Sequence, residues 1–173
     1  MLVAEQVTLL VVPAESAVLV EARSTVGPIT FGTMTMSGRI DAALVDGAID
    51  TRHPTAATFA VPVLSLTSGN QLYDAEMHSR LDARRFPDVT AELHTITPLS
   101  RNRYQVAGAL TIHGTTRELS AGLELSLSDT GTALVTGYQT IDMRDFAIGL
   151  PSMLMLKIFP DVTVRFQLQA VRA

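Results

Sequence analysis

The side chains that could carry chemistry are few and scattered. The four histidines, His53, His78, His94 and His113, show neither HExxH nor another ligand spacing, and no acidic cluster accompanies them, so no metal site is expected. Serines are plentiful, yet none sits in a GxSxG elbow. The stretch "GLPSM" lacks the second glycine that lets a helix follow closely on a nucleophile turn. No GxxxxGK[ST] or GxGxxG loop is present to cradle a phosphate. The chain has no Cys, which excludes a thiol nucleophile, a zinc–thiolate site and a disulfide framework. The expectation is therefore no catalytic residue and no cofactor, although a constellation spread over several strands would leave no local motif.

The elements that remain must hold something other than a reaction centre. At 173 residues and 47% hydrophobic content the chain fits one domain, 1–173, with ample core. A formal charge of -4 with only 13 Lys plus Arg, all scattered, argues against a nucleic-acid partner. The amino-terminal "MLVAEQVTLLVV" lacks a basic n-region and a small-residue cleavage site, so it reads as a first strand. The expected location is cytoplasmic as encoded, or periplasmic or secreted for a processed form. The longest apolar run, "IGLPSMLMLKIF", is interrupted by Pro151, Ser152 and Lys157 and falls short of the roughly 18 residues of a spanning helix.

Strand periodicity dominates. In "NRYQVAGALTIH" Tyr104, Val106, Gly108, Leu110 and Ile112 share one face. In "ELSAGLELSLS" Leu119, Ala121, Leu123, Leu125 and Leu127 do, and in "DVTVRFQLQA" Val162, Val164, Phe166 and Leu168. Further strands are expected at roughly 5–12, 16–25, 29–36, 38–50, 56–66, 88–97 and 132–146. The one helix is expected from about Asn70 to Arg85, with acidic residues early, basic residues late, and Pro87 as the stop. Many antiparallel strands with one apolar face stack as a sandwich or close as a barrel, and closure removes exposed edges, so the expected fold is all-β, an antiparallel barrel with one short helix, monomeric or homodimeric.

The apolar faces Phe31, Phe59, Tyr104, Val106, Leu110, Leu123, Leu125, Phe146 and Phe166 are expected to line the lumen. Met34 and Met36, read as two apart on one strand face, and Met153 and Met155 in "PSMLMLKIF" are either an adaptable wall and gate for a long apolar ligand or ordinary core. His78 and Arg80 are either head-group contacts at a barrel mouth or a solvated helix face. Arg144 and Asp145 are either an ion pair closing a barrel end or turn residues.

Four phrases carry a resemblance. "MHSRLDARRFPDVTAEL" (Met77 to Leu93), "VAGALTIHGTTREL" (Val106 to Leu119), "IDMRDFAIG" (Ile141 to Gly149) and "FPDVTVRFQLQA" are similar, in order and spacing, to the YceI-like family of polyisoprenoid-binding proteins. "PAESAVLVEARS" and "LSLTSGN" resemble its amino-terminal half, so the resemblance covers almost the whole chain. It implies an extended lipocalin-like barrel of bacterial type. Its lumen would hold an isoprenoid or fatty-acyl lipid for transport, storage or sensing, without chemistry, with transient membrane contact compatible; a solidly packed interaction module is the alternative. It also implies that His113 is structural, on a solvent face beside a bend at Gly114. The chain departs from the family pattern at Met143 and Arg144, at Ala147 where a glycine is usual, and at Leu93 where an aromatic is usual, which would widen the lumen.

Overall fold

The computed structural model describes residues 3–150, 152, 153 and 156–173. Twelve strands are seen among them: β1 Glu5–Val11, β2 Ala17–Ser24, β3 Gly27–Thr33, β4 Ser37–Val45, β5 Ala48–Ile49, β6 Ala56–Pro62, β7 Asp88–Ser100, β8 Arg103–Ile112, β9 Thr115–Leu127, β10 Ala133–Asp142, β11 Ser152–Met153 and β12 Leu156–Arg172. The single α-helix, α1, spans Gln71–Arg80, and 3₁₀ turns occupy Pro13–Glu15, Val63–Ser65 and Met143–Phe146.

Eight strands form a closed antiparallel barrel in the order β1-β4-β6-β7-β8-β9-β10-β12, and β12 returns to β1 through Leu9↔Arg172 to Val11↔Ala170. The same edge of β12 then takes β2, from Gln167↔Ala17 to Ile158↔Ser24, and β3 continues outward from β2. The Pro13–Glu15 turn is where the chain passes from one partner segment to the next, and Val12 N–H still donates to the Gln169 carbonyl at 2.8 Å. Inward positions form two packed clusters. The floor gathers Leu9, Ile40, Leu125 and Leu168; the roof gathers Ile29, Phe146, Ile148 and Val162, with Tyr73, Met77 and Leu81 packed against it.

Local chemistry explains where elements stop. Asn70 caps α1, its Oδ1 accepting from Leu72 and Tyr73 N–H at 3.0 and 3.2 Å. The helix is shorter than the expected 70–85 because Asp82 turns left-handed, φ 51°, two residues after Arg80. The expected strand 38–50 is split by a hairpin at Asp46 and Gly47, φ 53° and 73°, and the expected 132–146 ends at Asp142, whose carboxylate caps the Met143–Phe146 turn through Arg144 N–H, 2.9 Å. His113 and Gly114, φ 53° and 69°, are the two central residues of the β8–β9 hairpin. The His113 ring is half-buried edge-on against Phe86, centroids 5.3 Å apart at 77°, so it is structural but packed rather than solvated.

Pairing between β7 and β8 shifts by one residue between Leu93 and Thr95, which places His94 as the extra residue of a bulge. Gly108 permits it: a Cβ there would collide with the Glu92 carbonyl oxygen. His94 is thereby turned outward, with Nδ1 3.1 Å from Glu118 Oε1.

Candidate functional site

Between floor and roof the barrel is hollow. The inward side chains of its middle, among them Val20, Phe59, Val61, Leu93, Val164 and Phe166, are only half-buried, whereas those of the two ends are buried. A well-packed β core would not leave that pattern; side chains that face inward and still have free surface line a cavity. The cavity measures about 410 Å³, inside the range of small-molecule sites of about 300–1,000 Å³, and its surface is almost wholly apolar. Its walls run from Ile158 to Leu168 along β12. That is about 33 Å of strand at about 3.3 Å per residue, or about 25 Å of barrel axis for strands tilted by about 40°. An extended alkyl chain advances about 1.25 Å per carbon, given C–C bonds of about 1.5 Å, so a chain of about 20 carbons matches that length.

Small residues make the room. Ala91, Gly108 and Ala121 hold inward positions on β7, β8 and β9, and each contributes to the cavity wall. Phe166 lies across Gly137, where a Cβ would come within 2.6 Å of the ring, so its bulk is turned along the wall.

Of the expected lumen residues, Phe31, Met36, Phe59, Leu93, Val106, Leu110, Leu123, Leu125 and Phe166 line the cavity. Three do not. Met34 is 57% exposed, because β3 ends at Thr33 and the alternation that would pair Met34 with Met36 is lost in a loop; Met36 alone turns inward. Tyr104 faces inward below the cavity and is buried in the floor cluster. Phe146 sits in the 3₁₀ turn after β10 and is buried in the roof. Met155 and the Met153 side chain lie outside the described residues, as does the gate expected there.

The helix side chains are already partnered. His78 Nε2 donates to the Leu66 carbonyl at 2.9 Å and ties α1 to the Val63–Ser65 turn, away from the cavity. Arg80 does reach the cavity, but its Nε donates to Glu76 Oε1 at 2.7 Å. Arg144 pairs with Asp142 at 2.7 Å rather than with Asp145, and that guanidinium holds the Asp142 carboxyl below its ordinary value.

Other polar groups mark the cavity. Thr55 Oγ1 at the floor side is buried without a hydrogen-bond partner. Below it the loop after β5 is fastened by Asp50, whose carboxylate accepts from Arg52 Nε and Nη2 at 2.9 and 3.1 Å and contacts His53 Nδ1 at 3.0 Å. Hydrogen bonding from Arg52, more than any other cause, holds Asp50 far below the usual carboxylate range. Gln139 occupies an inward position of β10 between Gly137 and Ile141. Its signal was present in the sequence: "ALVTGYQTID" puts a carboxamide on the alternating apolar phase.

A family description, the YceI-like domain, matches residues 11–170. The chain belongs to the YceI-like family. No curated protein matches it significantly. Solved structures share the fold of this YceI-like chain. BcnA of Burkholderia cenocepacia superposes with a TM-score of 0.80 at 22% identity, over 93% of this chain and 99% of that one. A polyisoprenoid-binding domain from Saccharophagus degradans gives 0.70 at 13% identity, over 98% and 100%. The YceI protein of Campylobacter jejuni gives 0.62 at 16% identity, over 80% and 81%. At these identities the likeness speaks for the fold.

Proposed function

We propose that this YceI-like barrel binds one long apolar chain, an isoprenoid or fatty-acyl lipid, in its lumen and carries or stores it without acting on it chemically. The observation that carries the reading is the unfilled, apolar middle of the barrel between two packed ends. Its structural relative from Saccharophagus degradans is described as a polyisoprenoid-binding domain, which supports the same ligand class. A transient bilayer contact belongs to this reading. Met34, Leu64 and Leu72, exposed near α1 and the turn before it, are the side chains that would enter the bilayer.

Burial of each methylene contributes about 0.8 kcal/mol, so affinity should rise about fourfold per carbon until the lumen is full, near 20 carbons. The experiment is native mass spectrometry of the purified protein, followed by solvent extraction and titration with saturated fatty acids of increasing length. A co-purifying lipid and a length-dependent affinity that levels off near 20 carbons are expected. A protein that carries nothing and takes up no chain of any length would leave the interaction module instead.

A further inference from the structure

The barrel wall parts between β9 and β10. The ladder between β9 and β10 runs from Leu127↔Ala133 to Leu123↔Gly137 and stops there. Beyond it, β9 continues toward Thr115 paired only with β8, and β10 continues to Asp142 paired only with β12. The strands splay from this point toward the roof, where Arg117 Nε donates to the Asp145 carbonyl at 2.7 Å and spans the top of the gap. Sequence explains the parting. The last rung is a glycine with no side chain to pair across, and the next inward residues, Gln139 and Ala121, are a carboxamide and a methyl group that pack poorly together.

The gap lies directly against the lumen. The residues that flank it on the inner side, Leu119 and Ala121 of β9 and Gln139 and Ile141 of β10, all line the cavity. A groove on the outer wall lies against the lumen here, and Gln139, beyond the last rung of the ladder, borders both. Gln139 stands at the threshold; its amide N–H donates to the neighbouring Thr140 carbonyl at 3.3 Å, and its amide oxygen has no protein partner among the described residues. Outside, the Arg165 guanidinium lies 5.5 Å from the Tyr138 ring centroid, and no carboxylate forms an ion pair with it among the described residues.

We propose that the β9–β10 gap is the site for the polar end of the ligand: a hydroxyl or carboxyl group hydrogen-bonds to Gln139 and meets Arg165 and Tyr138 on its outer side, while the chain lies in the lumen. The helix end is less suited, because Arg80 is paired with Glu76 and His78 is bonded to the Leu66 carbonyl. This inference rests on the lipid reading above and specifies where the head of that ligand sits. An apolar chain bound this way has its one hydrated group at a break in the wall's hydrogen bonding, where the unpaired strand edges already need polar partners.

The test uses two nitroxide probes on a 16-carbon chain, one labelled at the polar end as the amide and one near the methyl end as the free acid, with amide spectra of the delipidated, isotope-labelled protein. The polar-end probe is expected to broaden Ala121, Gly122 and Tyr138–Thr140. The methyl-end probe should broaden Ala57–Val61 of β6, across the lumen. Broadening of Gln71–Arg80 by the polar-end probe, or of the gap by the methyl-end probe, overturns the proposal and leaves the lipid reading intact. No broadening by either probe overturns the lipid reading itself. In parallel, Gln139→Leu should weaken hexadecanol and hexadecanoic acid about fivefold, the effect of one net hydrogen bond, and Arg165→Gln should weaken only the acid. Wild-type affinity of Gln139→Leu for both also overturns it.

Discussion

Filling the lumen from its own wall separates a ligand cavity from a packed core by the sign of a stability change. Ala91 faces inward on β7 between Phe59 of β6 and Leu110 of β8, in the belt where inward residues keep free surface. Ala91→Phe would place a ring in that space. An aromatic side chain buries about 150–250 Å², and at about 25 cal/mol per Å², less what Ala91 already buries and the cost of ordering the ring, the delipidated protein should gain about 1–2 kcal/mol. The same substitution in a filled core costs about 1–3 kcal/mol through overpacking. A ring that displaces about four methylenes of a bound chain, at about 0.8 kcal/mol each, should weaken that chain about 200-fold. The assay is urea unfolding of the delipidated wild type and variant, since bound lipid would itself raise apparent stability, together with displacement of an environment-sensitive fluorescent fatty acid. A variant that is less stable and binds the probe as before would refute the cavity argument.

Three further outcomes follow from particular residues. Because the chain has no native cysteine, Ser120→Cys with Thr140→Cys can be bridged across the gap by a short bifunctional thiol reagent, and Glu124→Cys with Thr136→Cys across the intact ladder; stopped-flow loading of a fluorescent fatty acid should slow at least tenfold for the first bridge and not for the second, and equal rates would place admission elsewhere. Asp50 titrates well below the ordinary carboxylate value in the folded protein, so its contribution is fully present above about pH 4 and disappears as pH falls toward the folded value. Melting-temperature differences between wild type and Asp50→Asn should therefore be constant at neutral pH and shrink below about pH 4, and a difference that grows with acid would contradict the sign. Ala147 holds φ 56° at the end of the Met143–Phe146 turn, so Ala147→Gly should stabilise by about 1 kcal/mol in urea titration, and a destabilised variant would show that the turn is not strained there.

The barrel was legible because its signal is local. Tyr104 to Ile112, Leu119 to Leu127 and Val162 to Leu168 alternate strictly, and each stretch became the inward face of a strand. The pattern misleads where a strand ends without an obvious breaker. "ITFGTMTM" keeps a period of two through Met36, but Thr33 hydrogen-bonds to Thr35 and Ser65 and takes the chain out of the strand, so Met34 and Met36 part company. Phe146 fell in an apolar phase that Asp142 had already ended with a cap. His78 and Arg80 lie on the helix that the sequence predicts, but their partners, the Leu66 carbonyl and Glu76, depend on where α1 docks and how it turns. The gap was beyond sequence reading for a deeper reason: it is a property of pairing between β9 and β10, and periodicity describes each strand alone. Only Gly137 and Gln139, a missing side chain and a polar one in apolar phase, left a trace.

The long β12 also has a consequence for how the chain is made. One strand serves as partner to β1, β2 and β10, and the contacts it forms reach back to Val11 and Val18 across most of the sequence. Translation delivers it last among the barrel strands, so until Leu156–Arg172 emerges from the ribosome the nascent sheet has bare edges at β1, β2 and β10 with nothing to occupy them. Such long-range closure slows folding, and the half-made barrel is the stage most exposed to self-association and to capture by chaperones. A ribosome stalled just before β12 would therefore hold an unclosed sheet, and one stalled well after it a closed barrel.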